Sequence, residues 1–245
     1  MKATITLIAA LMLTLLTSCY SVQVNIDSDI VHGSGNKITE ERPVSNFAEV
    51  VVANPGNLTI EQNGTESLTI EGDDNILPLI VTEVKGNRLT IRTKTGSSYL
   101  ASTTLNYRLS VKSLTYIATT STGNVAMGKL DGGDVMAETT STGSIRIEQL
   151  SAPRYVVKVT SSGDIITSGK VDEQEATLSS SGDYDGSKLE SKSAVVTVSS
   201  SGSATVAVSD SLNATVSSSG SILYIGSPAL TQNDSSSGSI TQISK

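Results

Sequence analysis

The chain has 245 residues, a net charge of −7 and only 3% aromatic residues, with no tryptophan. Its length is enough for one large domain or two small ones, and its acidity argues against nucleic acid, whose phosphates require clustered Lys and Arg. With so few large rings, the core must be built from Val, Ile, Leu, Ala and Thr, and the β-branched members of this set favour extended backbone. These totals favour a protein of thin β-layers that has no nucleic-acid partner.

Residues 1–18 have the features of a secretory signal peptide. Lys2 gives a positive start, and the apolar run of residues 5–16 is too short to span a bilayer comfortably. Residues 16–19 read Leu-Thr-Ser-Cys and resemble a bacterial lipobox. This motif predicts that residues 1–18 are removed and that Cys19 carries acyl chains such as palmitate. An ordinary signal peptide with an incidental cysteine, or an N-terminal membrane helix, are the alternatives.

Residues 19–40 are predicted to form a tether between the lipid and the folded body. The segment mixes Asp, Ser, Gly and Asn without a sustained apolar period, and Cys19 is the only cysteine, so no intrachain disulfide can form. Tyr20 takes the position where aspartate retains lipoproteins in the inner membrane of Gram-negative bacteria, which favours the outer membrane by analogy. We therefore expect a cell-envelope protein whose membrane contact is the lipid on Cys19, facing either the periplasm or the cell surface.

Residues 41–112 are predicted to be the irregular N-terminal part of a single domain that spans residues 41–245. Residues 47–53 alternate in polarity, and residues 58–61 and 68–71 both read Leu-Thr-Ile-Glu. Two further strands, at residues 79–84 and 88–93, flank a Lys-Gly-Asn turn, which predicts an antiparallel hairpin. We expect such hairpins to cap the coils that follow.

Residues 113–245 form a regular repeat with a period of 18–20 residues, in which a Ser/Thr-rich triplet runs into a glycine. The seven glycines are Gly123, Gly143, Gly163, Gly182, Gly202, Gly220 and Gly238. The residue two positions earlier is always serine: Ser121, Ser141, Ser161, Ser180, Ser200, Ser218 and Ser236. This period, with no helical pattern inside it, is typical of a β-solenoid. Positions within a coil are numbered below from its glycine as zero.

The pattern inside each coil predicts which side chains face the core. Even offsets are mostly apolar or small, and offsets −3 and −1 are always Thr or Ser, as in a half-buried strand. The serine at −2 would then face inward, where an unpaired hydroxyl costs about 1–3 kcal/mol. We therefore predict an internal serine ladder, with each hydroxyl bonded to its counterpart in the next coil, and a glycine that supplies positive φ at the corner. A flexible Ser/Gly linker is the alternative, which apolar residues such as Ile145 and Val198 oppose.

The last coil differs from the others in polarity. Gln232, Asp234 and Gln242 stand at offsets where earlier coils are mostly apolar. Because an open solenoid end invites edge-to-edge association, we predict that these residues form a polar closing cap.

Several segments resemble the putative auto-transporter adhesin, head GIN domain family. They are residues 33–36 (GSGN), 39–44 (TEERPV), 70–77 (IEGDDNIL) and 82–91 (TEVKGNRLTI), and the resemblance extends over about residues 33–245 with the coils. It implies an all-β, right-handed parallel β-helix-like solenoid in envelope proteins, often lipoproteins, with adhesin function. It brings no catalytic residue to this chain.

Few side chains in the sequence offer chemistry. The sole histidine, His32, falls in the predicted tether, so we expect no Ser-His-Asp triad, no histidine metal site and no cofactor. Asp73 and Asp74 are weak candidates for a metal site, and a turn whose carboxylates bind nearby backbone is the favoured interpretation. Asp164, Asp183 and Asp185 lie at related offsets of adjacent coils, as acidic residues do in carbohydrate-active β-helix enzymes.

Together these features predict a non-catalytic adhesin or binding scaffold rather than an enzyme. Its ligand, a protein or a glycan, would contact the faces of the solenoid, and self-association is a further prospect. The alternatives are a carbohydrate-active β-helix enzyme that uses the three aspartates, and an envelope-stress or structural protein of the periplasm.

Overall fold

The computed structural model describes residues 30–235 and 237–244. The protein is all-β, a β-solenoid of about six turns with a less regular N-terminal part, as the sequence predicted. The N-terminal strands are β1 Ile30–His32, β2 Lys37–Arg42, β3 Glu49–Ala53, β4 Asn57–Gln62, β5 Ser67–Asp73, β6 Ile80–Lys85, β7 Arg88–Thr93, β8 Ser98–Leu100 and β9 Asn106–Val111, with a 3₁₀ turn at Leu77–Leu79. The later strands are β10 Tyr116–Thr119, β11 Asn124–Asp131, β12 Val135–Thr139, β13 Ile145–Val159, β14 Ile165–Leu178, β15 Tyr184–Val198, β16 Ser203–Ser217, β17 Ser221–Ile225, β18 Ala229–Ser235 and β19 Ser239–Gln242.

Two long parallel ladders run along the solenoid. One joins β7, β3, β10 and β12 to the last parts of β13 through β16 and then to β18. The other joins β9, β4 and β11 to the first parts of the same long strands and then to β17 and β19. The middle parts of β11 and of the long strands pair with one another as a third, shorter ladder.

Antiparallel strands close the N-terminal end of both long ladders. Strand β6 pairs with β7 through the two-residue turn Gly86–Asn87, in which Gly86 has φ 62°, so the predicted hairpin is confirmed. On the other ladder β5 pairs antiparallel with β9, and β2 pairs antiparallel with β5. Strands β1 and β8 form a separate parallel pair.

The core consists of aliphatic rows stacked from coil to coil, as the alternation predicted. All six described inward residues at offset +2 from Gly123 to Gly220 are at most 2% exposed: Val125, Ile145, Ile165, Tyr184, Ala204 and Ile222. The row at offset −4 is equally buried over the same coils, and it begins with Thr119 and Thr139 before it becomes aliphatic, whereas Asp234 in the last coil is exposed. Each coil therefore buries its apolar face only against its two neighbours, which is how solenoids are stabilised.

Buried tyrosines find hydrogen-bond partners inside this core, as amphipathic rings require. Tyr155 Oη lies 2.8 Å from Thr167 Oγ1. Tyr184 Oη donates to Gln174 Oε1 at 3.1 Å, and Gln174 Nε2 donates to Ser191 Oγ at 2.7 Å. Burial raises the pKa of Tyr184 well above its ordinary value, so its hydroxyl stays protonated and can donate.

The predicted tether of residues 19–40 is wrong for its C-terminal part. Residues 30–32 form β1 against β8, and residues 37–42 form β2 against β5, so the folded body begins at or before Ile30. These short strands have no apolar period, because their stability comes from partners that are distant in the sequence, and the sequence therefore did not predict them. Cys19 and the rest of the predicted signal peptide and tether lie outside the described residues.

The repeat glycines are needed for close approach and not for positive φ, which corrects the prediction. None of the seven has a positive φ. A Cβ atom on Gly182 would lie 2.6 Å from Val159 Cγ1 and 2.8 Å from Ser161 O, and it would approach Gly163 O more closely still. Real Cβ atoms essentially never come within 3.0 Å of such atoms. At each corner the backbone of one coil thus occupies the space that a side chain of the next would need.

The serine ladder differs from its prediction. Ser121, Ser141, Ser161, Ser180 and Ser200 are half-buried at the corner and Ser218 is exposed, while Ser236 lies outside the described residues. Among the first five, no hydrogen bond joins one hydroxyl to another. Their carbonyl oxygens form the ladder instead, as where Gly143 N donates to Ser121 O at 3.0 Å and Gly202 N to Ser180 O at 2.9 Å. Proximity of the backbones, and not burial of a hydroxyl, accounts for the small residue.

Candidate functional site

A polar side-chain ladder does exist, but at offset +1. Asn57 Nδ2 donates to Asn106 Oδ1 at 3.3 Å, Asn124 Nδ2 to Asn57 Oδ1 at 3.4 Å, and Ser144 Oγ to Asn124 Oδ1 at 2.9 Å. Further along, Ser221 Oγ donates to Ser203 Oγ at 3.0 Å. The sequence carried a signal for it, since every coil has Asn, Ser or Asp immediately after its glycine.

The acidic residues of the enzyme alternative belong largely to this ladder. The structure brings Asp164 and Asp183 together on adjacent coils, where Asp183 N donates to Asp164 Oδ1 at 3.3 Å. Asp183 Oδ1 in turn accepts from Ser203 N at 2.9 Å, and Asp185 Oδ1 accepts from Ser187 N at 3.0 Å. All three side chains are exposed. Each of the three carboxylates therefore accepts a hydrogen bond from a backbone N–H group, which is a structural role.

Basic residues do lie near the third aspartate. Arg146 and Lys188 line a shallow cavity of about 130 Å³ together with Asp185. Asp164 and Asp183 do not line it. The structure therefore does not gather the three aspartates around one cavity.

Asp73 and Asp74 fix the N-terminal segment through hydrogen bonds. The buried Asp73 carboxylate accepts backbone N–H bonds from Thr103 at 3.0 Å, Gly35 at 2.9 Å and Ser102 at 2.9 Å. These bonds, that from Thr103 first, hold the pKa of Asp73 below its usual range. Across residues 30–235 and 237–244, no group of three or more His, Cys, Asp and Glu side chains could hold a metal ion.

Asp74 and Asn75 extend the same clamp. Asp74 accepts hydrogen bonds from Ser34 Oγ at 2.5 Å and Asn36 Nδ2 at 2.8 Å, which lower its pKa. Asn75 Nδ2 donates to the carbonyl of His32 at 2.7 Å. His32 therefore lies in strand β1 of the folded body, with an exposed side chain, and not in a free tether.

Exposed hydroxyls form a strip along the repeat corner. The side chains at offsets −3 and −1 are exposed in most coils, on either side of the half-buried serine. The exposed members of the strip are Thr120, Thr122, Thr140, Thr142, Thr160, Ser162, Ser179, Ser181, Ser199, Ser201, Ser219 and Ser237. The strip carries no charged side chain, and every hydroxyl in it can both donate and accept a hydrogen bond.

A second extended surface is an axial groove that crosses the coils where their middle and last parts meet. Its larger cavity of about 580 Å³ spans Lys170 to Ser227, and a second of about 300 Å³ continues it to Gly132. The floor is the row Gly132, Ala152, Val171, Ser191, Val208 and Gly226. One wall is Ser151, Lys170, Glu190, Ala207 and Ile225, and the other is Pro153, Asp172, Lys192, Asp210 and Ser227.

The coils shorten where the groove has its larger cavity. Strand β15 pairs Gly186 with Val206 but Glu190 with Ala207, so residues 187–189 have no counterpart in β16. The next two coils have 18 residues where the one before has 20. The larger cavity, which both Glu190 and Ala207 line, lies at this change of coil length.

The structure resembles solved structures of several bacterial proteins. A putative adhesin from Bacteroides fragilis has a TM-score of 0.81 and 23% identity, with 87% of this chain and 100% of that chain covered. A putative lipid binding protein from Parabacteroides distasonis has a TM-score of 0.74 and 22% identity, with coverage of 87% and 99%. A putative adhesin from the same species has a TM-score of 0.70 and 23% identity, with coverage of 88% and 100%. At these identities the likeness shows a shared fold.

No curated protein matches the chain. Within the part of the chain that the structure describes, no helix has the length and apolar character that a bilayer span requires.

A family model covers most of the solenoid. The model described as putative auto-transporter adhesin, head GIN domain matches residues 46–228, well over half of the chain. This range includes the N-terminal strands from β3 and the coils up to Gly220. The chain therefore belongs to the putative auto-transporter adhesin, head GIN domain family.

Proposed function

We propose that this protein is a non-catalytic binding scaffold of the cell envelope, anchored by a lipid on Cys19. Its ligand, a protein or a glycan, contacts the outward rows of the solenoid. The observation that carries the proposal is the repetition itself: the same outward position recurs in coil after coil on a rigid frame. Such a surface offers many weak, equivalent contacts, which suits adhesion through multivalency.

Membership of an adhesin-like family supports an envelope or surface-associated role. The contacts of the acidic residues support a role without catalysis. Asp73, Asp164 and Asp183 each bind backbone N–H groups, and such a carboxylate serves as a structural acceptor. A general acid or base must instead reach the proton that it transfers in a bound substrate.

Binding by the purified protein tests the scaffold function. The protein is immobilised and exposed to cell-envelope fractions and to host matrix proteins, and adhesion of a deletion strain is compared with that of its parent. We expect retention of at least one fraction and weaker adhesion of the deletion strain. Retention of nothing, together with unchanged adhesion and envelope integrity, would refute the proposal.

Anchoring is tested separately through Cys19. In the Cys19→Ser protein we expect loss of metabolic labelling by a palmitate analogue, and release from the membrane fraction. Protease treatment of intact cells then determines the face: digestion places the protein at the surface, and protection places it in the periplasm. Labelling that persists in Cys19→Ser would contradict the lipid anchor.

A further inference from the structure

The floor and walls of the axial groove are set by the strand pairing. Lys170 pairs with Glu190, Glu190 with Ala207, and Ala207 with Ile225, so one wall is a continuous row. The floor residues Val171, Ser191 and Val208 are between 2% and 6% exposed, whereas Lys170 and Lys192 on the walls are exposed. This buried middle part of the floor, between two rows that carry long charged side chains, produces a groove parallel to the solenoid axis.

The dimensions of this groove fit an extended polymer. Six coils contribute to the floor, so its length is about 24 Å at a spacing of about 4.8 Å per coil. The floor is one residue wide, which admits a single chain. The wall residues differ from coil to coil, but the floor advances by the same distance at each coil, so a polymer with a matching repeat can place one unit at every coil.

The repeat of the groove favours a glycan over a peptide. An extended peptide presents side chains on one side every 6.6 Å or so, and it falls out of register with the coils within a few of them. A sugar unit in an extended glycan is about as long as one coil is high. A linear glycan can therefore place one sugar unit at each coil along the whole groove.

The charges on the walls favour an uncharged glycan. Lys170 and Lys192 stand beside Asp172, Glu190 and Asp210, and Lys192 Nζ lies 2.7 Å from Asp172 Oδ1. Two positive and three negative side chains line the walls, so a polyanion meets net repulsion and a polycation gains only a small net attraction. Sugar hydroxyls both donate and accept, and ammonium and carboxylate groups can each bind them.

We propose that the axial groove binds a linear, uncharged glycan along the solenoid axis. The proposal rests on the proposed scaffold function and names its ligand class and its site. The partly exposed Ala207 and Ile225 provide apolar contact for the sugar rings, and the charged wall residues hydrogen-bond to the hydroxyls.

Titration of the purified protein with defined hexasaccharides tests this proposal. The probes are cellohexaose and the hexamer of N-acetylglucosamine, with hexagalacturonate as the charged control, and binding is followed by calorimetry and NMR. The variant Ser209→Tyr fills the groove from an exposed position. The matched control, Ser201→Tyr, makes the same change at an exposed serine of the corner strip. Thermal unfolding of both variants verifies that they fold.

We expect at least one uncharged hexasaccharide to bind, at least tenfold weaker binding by Ser209→Tyr, and unchanged binding by Ser201→Tyr. Stronger binding of hexagalacturonate would overturn the charge argument and with it the proposal. Equal binding by the two variants, or loss only in Ser201→Tyr, would move the site away from the groove and leave the scaffold function intact. Failure of both uncharged probes would overturn the groove proposal, while retention of envelope fractions decides the scaffold function independently.

Discussion

Substitution of Gly182 by alanine tests the role that the structure gives to the repeat glycines. The new methyl group would meet Val159 Cγ1 at 2.6 Å and Ser161 O at 2.8 Å. Ser161 O cannot easily move away, because it accepts a hydrogen bond from Gly182 N at 2.9 Å. Overpacking of this kind costs about 1–3 kcal/mol, and a backbone neighbour places the cost in the upper part of that range.

A smaller, opposite effect comes from the unfolded state. Alanine restricts the unfolded chain and stabilises a protein by about 0.4–1 kcal/mol where the native backbone accepts it. The net loss for Gly182→Ala is then about 2 kcal/mol. For a domain of this size, this corresponds to a fall in Tm of about 4–8 °C.

The assay is thermal and urea unfolding followed by far-UV circular dichroism, with Gly128→Ala as the control. A Cβ atom added at Gly128 would have no heavy atom within 4 Å, and the residue has no positive φ, so alanine there should be neutral or slightly stabilising. Gly182→Asn adds discrimination, because asparagine tolerates positive φ but is larger than alanine. We expect the order of stability to be wild type, then Ala, then Asn. If Gly182→Asn were at least as stable as Gly182→Ala, or if Gly182→Ala matched the wild type, close approach would not be the reason for glycine.

Three other expectations follow from named contacts. Asp73→Asn should lower the amide protection factors of residues 33–36 more than the control Asp74→Asn does. Since the pKa of Asp73 is lowered on folding, its stabilisation is full above the unfolded pKa of about 3.9 and is lost as the pH falls through the lower folded value. Equal protection factors of these amides at pH 7 and pH 3, each corrected for the intrinsic exchange rate at that pH, would contradict this. Tyr184→Phe leaves Gln174 Oε1 without its donor and should lower the free energy of unfolding in urea by about 1–3 kcal/mol, whereas a change below 0.5 kcal/mol or so would show that the buried bond contributes little. Asp183→Leu removes the acceptor for Ser203 N and should reduce stability by about 0.5–1.5 kcal/mol without changing ligand binding, and any polysaccharide cleavage that the wild type shows and this variant lacks would instead support the enzyme alternative.

The sequence was sufficient to predict the solenoid and its inward rows. Alternation around a 20-residue period places Ile145, Ile165 and Val198 in the core, and all three are fully buried. Short-range patterns of this kind suffice because each coil contacts only its neighbours. The β6–β7 hairpin was predictable for the same reason, since its signal lies within a few residues.

The ladder was assigned to the wrong offset because alternation alone cannot locate a tight corner. At a corner the backbones of successive coils approach so closely that Ser121 is half-buried without pointing into the core, and its carbonyl becomes the bonded group. Offset +1 carries the side-chain bonds, although Asn124, Ser144 and Asp164 differ in residue type. A search for polar character at a fixed offset, instead of for identical residues, would have found it.

Long-range contacts account for the other differences. Residues 30–36 have no periodicity of their own, and Asp73 fixes them from a distance of about 40 positions in the chain. The larger cavity of the axial groove lies where residues 187–189 have no partner in β16, which is a property of two coils together. The shortening of the coils from 20 to 18 residues was visible in the sequence, but the side on which the loss occurs was not.

Antiparallel strands close the N-terminal end of the solenoid, whereas the C-terminal half repeats one coil. This difference limits where the solenoid can gain or lose length. Insertion or loss of one complete coil between β14 and β16 would leave each neighbouring coil paired in parallel with a coil of the same kind. The solenoid could therefore lengthen or shorten by one coil at a time. Insertion of a coil next to β3 and β4 would instead separate β7 from β3 and β9 from β4, which are the pairs at the N-terminal ends of the two long ladders. Relatives that differ in reach are therefore expected to differ by whole rungs in the C-terminal half, and a coil duplicated there by design should fold in place.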